Sequence, residues 1–188
     1  MTYLAPAARN DVIQSVADFD VLLLIDGVFH YDLAPSPKEC YAASQRLRFF
    51  GASSMGALRS AECRPYGMTP LGIIARWYVD EVIDGDDEVG VLVDPQTQTA
   101  LSVPLVNVRY VAWLAQRRGL LDRVEAAHFV KASRNVYYTE RTWDGALDNV
   151  PAAKRRSVER IALANGDLKR HDARFALRSV LRRFPSSP

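Results

Sequence analysis

The segment DVLLLI, Asp20 to Ile25, constrains the fold most strongly, because it is short, continuously apolar after its first residue, and closed by Asp26-Gly27. Unbroken rather than alternating apolarity predicts a strand buried on both faces of a parallel sheet, and a parallel neighbour needs a crossover connection. The sequence supplies one. Ser36-Pro37-Lys38-Glu39 offers an N-cap, a proline at the first helical position and an acidic first turn, predicting a helix to about Leu47. Arg48 to Ala52 fits a second short strand. Ser53-Ser54 then precede Met55 to Glu62, a stretch of helix formers. The first part of the chain thus reads strand-helix-strand-helix.

Pro65 to Pro70 is punctuated as a turn, and Leu71 to Val79 resumes a helix with Ile73, Ile74, Trp77 and Tyr78 inward. Val89 to Val93 and Ala100 to Val103 read as hairpin strands about an Asp94 to Thr99 turn that includes Gln98. Helices are expected at Pro104 to Arg118, Arg123 to Ser133, Ala152 to Asn165 and Asp172 to Phe184, with Gly119 and Gly166 near their breaks. The expected fold class is α/β, a small mainly parallel sheet flanked by helices with a helical C-terminal portion. The expected division is a core over residues 1–118 and a helical extension over 119–188 packed on it.

At 188 residues with 48% hydrophobic side chains, the chain can bury a core without disulfides or a structural metal. Its two cysteines, Cys40 and Cys63, form no CxxC pair, which favours a reducing compartment and hence a cytoplasmic location. The longest apolar run, Val21 to Ile25, falls far short of the roughly 20 residues that cross a bilayer, so neither a membrane span nor secretion is expected. The net charge of +2 requires no polyanionic partner. It is unevenly placed, however: 10 basic residues between Lys154 and Arg183 meet only Glu159, Asp167 and Asp172. The readings in order are a solvated helical face, a docking surface for an acidic protein and, last, nucleic acid.

The serine pair at a strand-to-helix junction is the sharpest chemical feature, since unsatisfied amides there point outward beside a hydroxyl. The logic is that of a nucleophile elbow, in which a serine attacks a carbonyl and following amides hold the oxyanion. GASSMG is not GxSxG, and the plain alternative is an ordinary N-cap. His30, His128 and His171 are scattered without spacing to an acid, so no Ser-His-Asp triad is proposed. Lys38 is the better candidate base. It opens a helix near the carboxyl edge of the sheet, where partial burial and the positive helix end both disfavour the ammonium form. Its plain alternative is a surface lysine. Asp84, Asp86, Asp87 and Glu88 lack an EF-hand register and read as a solvated acidic loop. Cys40 and Cys63 invite a sulfur relay but read first as small core residues. No metal spacing, Walker loop or GxGxxG fingerprint is present, so no metal and no cofactor are expected.

Taken in order, IDGVF (25–29), Lys38-Glu39, GASSMGALRSAE (51–62), YGM (66–68), DDEV (86–89) and VNVR (106–109) resemble the TfuA-like protein family over about residues 20–110. Residues 5–11 are similar to a weaker remnant of the family's preceding Pro-rich loop. Two positions depart from the pattern: Pro37 stands where a histidine often precedes the lysine, and Pro70 replaces a familiar glycine.

The resemblance implies partnership with a YcaO-type cyclodehydratase in peptide backbone thioamidation. It also implies a ThiS-like carrier ending in a thiocarboxylate as sulfur donor, and a hydrolase-like Ser-Lys site whose matching positions are Lys38 and the serine pair. Ser54 is favoured as nucleophile, with Ser53 assisting or capping. To these we add, from the residues, Met55 and Gly56 as oxyanion amides and Arg59 as an attractor of the anionic carrier tail. Asp26, Gly27, Glu39, Glu62, Asn107 and Arg109 are further site-edge candidates. The alternative role is a non-catalytic adaptor that raises the affinity of YcaO for its peptide.

Overall fold

The computed structural model describes residues 1–29, 33–97 and 99–185; His30, the turn residue Gln98 and Ser186 to Pro188 lie outside the described residues. The chain divides into two compact units. One is Met1–Asp84 rejoined by the chain from Lys169 onward, and the other is Gly85–Leu168. This division differs from the boundary expected near residue 118, because the last helix returns to the first unit rather than continuing the helical segment before it.

In the first unit, α1 (Asp11–Gln14) leads through a short 3-10 turn into β1 (Val21–Leu24), and α2 (Pro37–Ser44) connects it to β2 (Arg48–Gly51). Next come α3 (Met55–Glu62), the two-residue β3 (Thr69–Pro70) and α4 (Gly72–Val79). The sheet order is β1-β2-β3, and both pairings are parallel, with Val21 opposite Arg48 and Phe50 opposite Thr69. The strand-helix-strand-helix reading holds. Three findings differ from expectation. First, β1 lies at one end of the three-strand order, so three of its four residues are half-buried rather than enclosed on both faces. Second, the turn over residues 65–70 ends in a third strand. Third, Ile73 is 44% exposed while Ile74, Ala75 and Tyr78 face inward, which rotates the buried stripe of α4 by one residue.

The start of α2 is as the sequence predicts. The Ser36 hydroxyl accepts the Glu39 N–H, and the Glu39 carboxylate accepts the Ser36 N–H in return, forming a capping box. The unit's core gathers Val12, Leu24, Cys40, Ala43, Phe49, Cys63 and Met68. Beside β1, Ala7 makes a parallel bridge to Gly27.

The second unit is helical: α5 (Leu105–Arg117), α6 (Arg123–Arg134), α7 (Trp143–Leu147) and α8 (Ala152–Asn165) enclose Leu105, Val108, Val111, Phe129, Leu147 and Ile161. The expected hairpin reduces to one antiparallel bridge, Val93 to Ala100, flanked by the Leu101 N–H on Leu92 O at 2.7 Å. Residues 86–88 form a 3-10 turn rather than a solvated loop. Glu88 is 1% exposed and receives both arms of the Arg109 guanidinium, at 2.8 and 2.5 Å. Finally, α9 (Leu168–Arg183) is longer than expected and opens four residues earlier than Asp172.

Candidate functional site

α3 begins where the ends of β1 and β2 meet. The Ala52 N–H bonds Leu24 O at 3.1 Å, after which the chain bends sharply at Ser53, with φ at +70°, and Ser54, with φ −114° and ψ −124°. A left-handed residue other than glycine costs about 1–3 kcal/mol, so the surroundings must hold the bend. They do so from three directions. The Ser54 N–H donates to Ile25 O and Ala52 O, the Gly56 N–H donates to Ile25 O at 3.2 Å, and the Ser53 Oγ donates to Lys169 O at 2.8 Å.

This close approach of α3 to β1 requires glycine. A Cβ on Gly56 would stand 1.9 Å from Leu24 O, and one on Gly51 would stand 2.1 Å from Gly56 O. The sequence GASSMG therefore builds a strained strand-to-helix corner, the geometry that presents a nucleophile at a sheet end.

The two hydroxyls differ. Ser53 is held by Lys169 O, whereas Ser54 makes no capping bond and its Oγ has no hydrogen-bond partner among the described residues. Ser54 itself is 1% exposed. Of the two amides expected to steady an oxyanion, that of Gly56 is occupied by Ile25 O. That of Met55 has no acceptor among the described residues.

Lys38 is exposed rather than partly buried as the sequence reading expected. Glu39, Cys40 and Ala43 take the inward positions of α2, which turns Lys38 toward water. The segment carrying it is tied to the later turns of α3: the Arg59 Nε donates to Pro35 O at 2.6 Å, and the Cys63 thiol to Pro37 O at 3.4 Å. Arg59 also pairs with Glu62 at 2.6 Å, so both residues brace the lead into α2. Glu39 caps α2 and accepts the Asn10 N–H at 2.6 Å. Asp26 is exposed at the end of β1, where it accepts the Gly27 N–H, and Gly27 lies against Met55 and Pro35. Asn107 and Arg109 belong to the second unit. There Asn107 Oδ1 accepts the Leu168 N–H at 3.0 Å and Arg109 neutralises Glu88.

Both cysteines are buried free thiols, and burial is the chief cause that pushes each above the ordinary thiol range. A thiolate relay therefore has no accessible nucleophile, and Cys40 and Cys63 serve the core.

Sequence reasoning missed the contribution of α9. Lys169 O lies 116 residues along the chain from Ser53, and three residues later Asp172, 3% exposed, accepts the Ile74 N–H at 2.7 Å at the start of α4. Burial raises the Asp172 carboxyl above its usual range, against the lowering effect of the Ile74 and Ile73 amides. A buried acid at i, i+4 with Leu168 and Ala176 on an otherwise basic helix was the available signal. Among the described residues no cluster of His, Cys, Asp and Glu suits a metal ion, and no helix is long and apolar enough to cross a membrane.

No curated protein matches the chain. The family described as TfuA-like protein matches residues 26–142, a span that takes in the corner, α2 and more than half of the chain. The chain therefore belongs to the TfuA-like protein family.

Proposed function

We propose that this protein releases sulfide from a thiocarboxylated ThiS-like carrier and supplies it to a YcaO partner for peptide backbone thioamidation. Membership of the TfuA-like family supports a role beside YcaO. The observation that carries the hydrolytic reading is the corner itself: a Ser54 hydroxyl without a partner among the described residues, in a strained backbone, next to a Met55 amide without an acceptor among them.

The reaction proceeds by acyl transfer. The Ser54 Oγ attacks the thiocarboxylate carbon and passes its proton to the Lys38 amine, and the Met55 N–H holds the developing oxyanion. The carbon-sulfur bond breaks, and sulfide leaves as HS⁻ with the proton returned by Lys38. Water, deprotonated by the same amine, then hydrolyses the acyl-serine and restores the carrier carboxylate. Sulfide is a far better leaving group than an amine, so a lysine suffices without histidine. Ser53, held by Lys169 O, fixes the bend.

The test mixes thiocarboxylated carrier and this protein without a YcaO partner and measures sulfide. Release that is lost in folded Ser54→Ala and Lys38→Ala supports the reading; undiminished release by folded Ser54→Ala removes Ser54 as nucleophile. The near-complete burial of Ser54 and the exposure of Lys38 favour a second reading, a non-catalytic adaptor that tightens YcaO on its peptide. That reading predicts no sulfide in this mixture and a lower KM for peptide when the protein joins YcaO.

A further inference from the structure

α9 has two unlike faces. Leu168, Asp172 and Ala176, at i, i+4 and i+8, are buried. At the helix end the Phe184 ring lies 5.9 Å from that of Phe50 and under the Arg48 guanidinium. The other face carries His171, Arg174, Phe175, Arg178, Ser179 and Arg182, which line a groove of about 320 Å³ with no acidic side chain among the described residues that line it.

Arg174, Arg178 and Arg182 are exposed and make no hydrogen bond or ion pair among the described residues. Like charges at i, i+4 oppose helix formation, so three in register weaken α9 unless something anionic covers them. Phe175, 56% exposed between them, adds an apolar anchor of the kind that centres a protein interface.

We propose that this arginine face is the docking surface for an acidic protein, the carrier whose acyl tail reaches Ser54. This rests on the hydrolytic reading above. Its geometry follows from the anchor of α9: Lys169 O is bonded to Ser53, and the helix rises about 1.5 Å per residue. Arg174 therefore stands about 7 Å along the axis from that anchor and Arg182 about 20 Å. A carrier seated on the stripe spans these distances with an extended tail of about three to six residues at about 3.3 Å each. Charge complementarity, with an apolar centre, selects an acidic protein face. Nucleic acid fits the charge but has no acyl group to deliver to a serine.

The test compares the full-length protein with R174E/R178E/R182E, after circular dichroism confirms equal helix content, and adds Phe175→Ala as a milder variant. Two probes separate docking from chemistry: a labelled ThiS-like carrier, read by fluorescence anisotropy, and the thiocarboxylate of diglycine, read by sulfide release. The expected result is at least a tenfold loss of carrier affinity in the triple variant, a smaller loss in Phe175→Ala, and unchanged turnover of the diglycine probe. Carrier affinity undiminished in the folded triple variant overturns the proposal. So does a loss confined to a labelled RNA oligonucleotide. If the wild type leaves the diglycine probe intact, the hydrolytic reading fails by itself, and the anisotropy arm still decides the docking face.

Discussion

Gly56→Ala should destabilise the protein through a clash that the backbone cannot evade. The new Cβ would stand 1.9 Å from Leu24 O and 2.5 Å from Leu24 C, both main-chain atoms of β1. Restoring ordinary contact near 3.4 Å needs α3 and β1 to separate by about 1.5 Å. That movement carries the Gly56 N–H, now 3.2 Å from Ile25 O, out of hydrogen-bond range. Overpacking of this kind costs about 1–3 kcal/mol and the lost bond about 1 kcal/mol more. The better helix propensity of alanine returns at most about 1 kcal/mol. The net loss of about 1–3 kcal/mol lowers the melting temperature by about 2–12 °C in a chain of this size.

Gly119→Ala is the control, because Gly119 has φ +69° with nothing within 4 Å of its Cβ position and so incurs only a left-handed penalty of about 1 kcal/mol. The assay is thermal unfolding of the three proteins by circular dichroism. A Gly56→Ala melting temperature within about 2 °C of wild type, or above that of Gly119→Ala, refutes the steric argument.

Three further outcomes follow from buried polar groups. Arg141, 1% exposed, donates to Ser133 O, Val103 O and Val136 O and pairs with Asp87, so Arg141→Ala removes a donor from all three carbonyls, of which Ser133 O keeps the Val136 N–H, and leaves a cavity, costing about 3–5 kcal/mol in urea unfolding. Arg141→Lys should recover little, since one ammonium cannot span those acceptors. Asp172 has a folded-state carboxyl raised above 3.8, so the folded state holds its proton more tightly. Its contribution is present below that pH and is lost as pH rises through the folded value. The wild type should therefore lose melting temperature relative to Asp172→Asn as pH rises from below 3.8 through the folded value, and parallel profiles would reject this assignment. Cys40 and Cys63 should resist alkylation in the folded protein at about pH 8 and react after denaturation, with Cys40→Ala retaining sulfide release.

What could be read in the sequence was local. The apolar run of β1 and the capping box Ser36-Glu39 act within one strand or one helical turn, so their signals are intact in the linear order. The corner was legible as a pair of serines before a helix, and the strain at Ser53 gives those residues a structural setting the sequence only suggested. Lys38 shows the limit. Its helix position followed from Pro37, but its exposure depends on which side of α2 meets the core, and Glu39 and Cys40 took that side. The third strand was missed because two residues carry no periodicity, and the hairpin expected about the Asp94 to Thr99 turn formed one bridge instead of a ladder.

The sequence by itself determined the strand-helix-strand-helix order, the glycines that let α3 cross β1, and the family, since each is written in contiguous residues and their spacing. Only the tertiary structure decided which serine hydroxyl is held by the backbone of α9. Lys169 O claims Ser53 from far along the chain, and Asp172 fastens the same helix to Ile74. Contacts of that separation are set by how helices return to a sheet, which depends on the total burial available and leaves no local pattern to read.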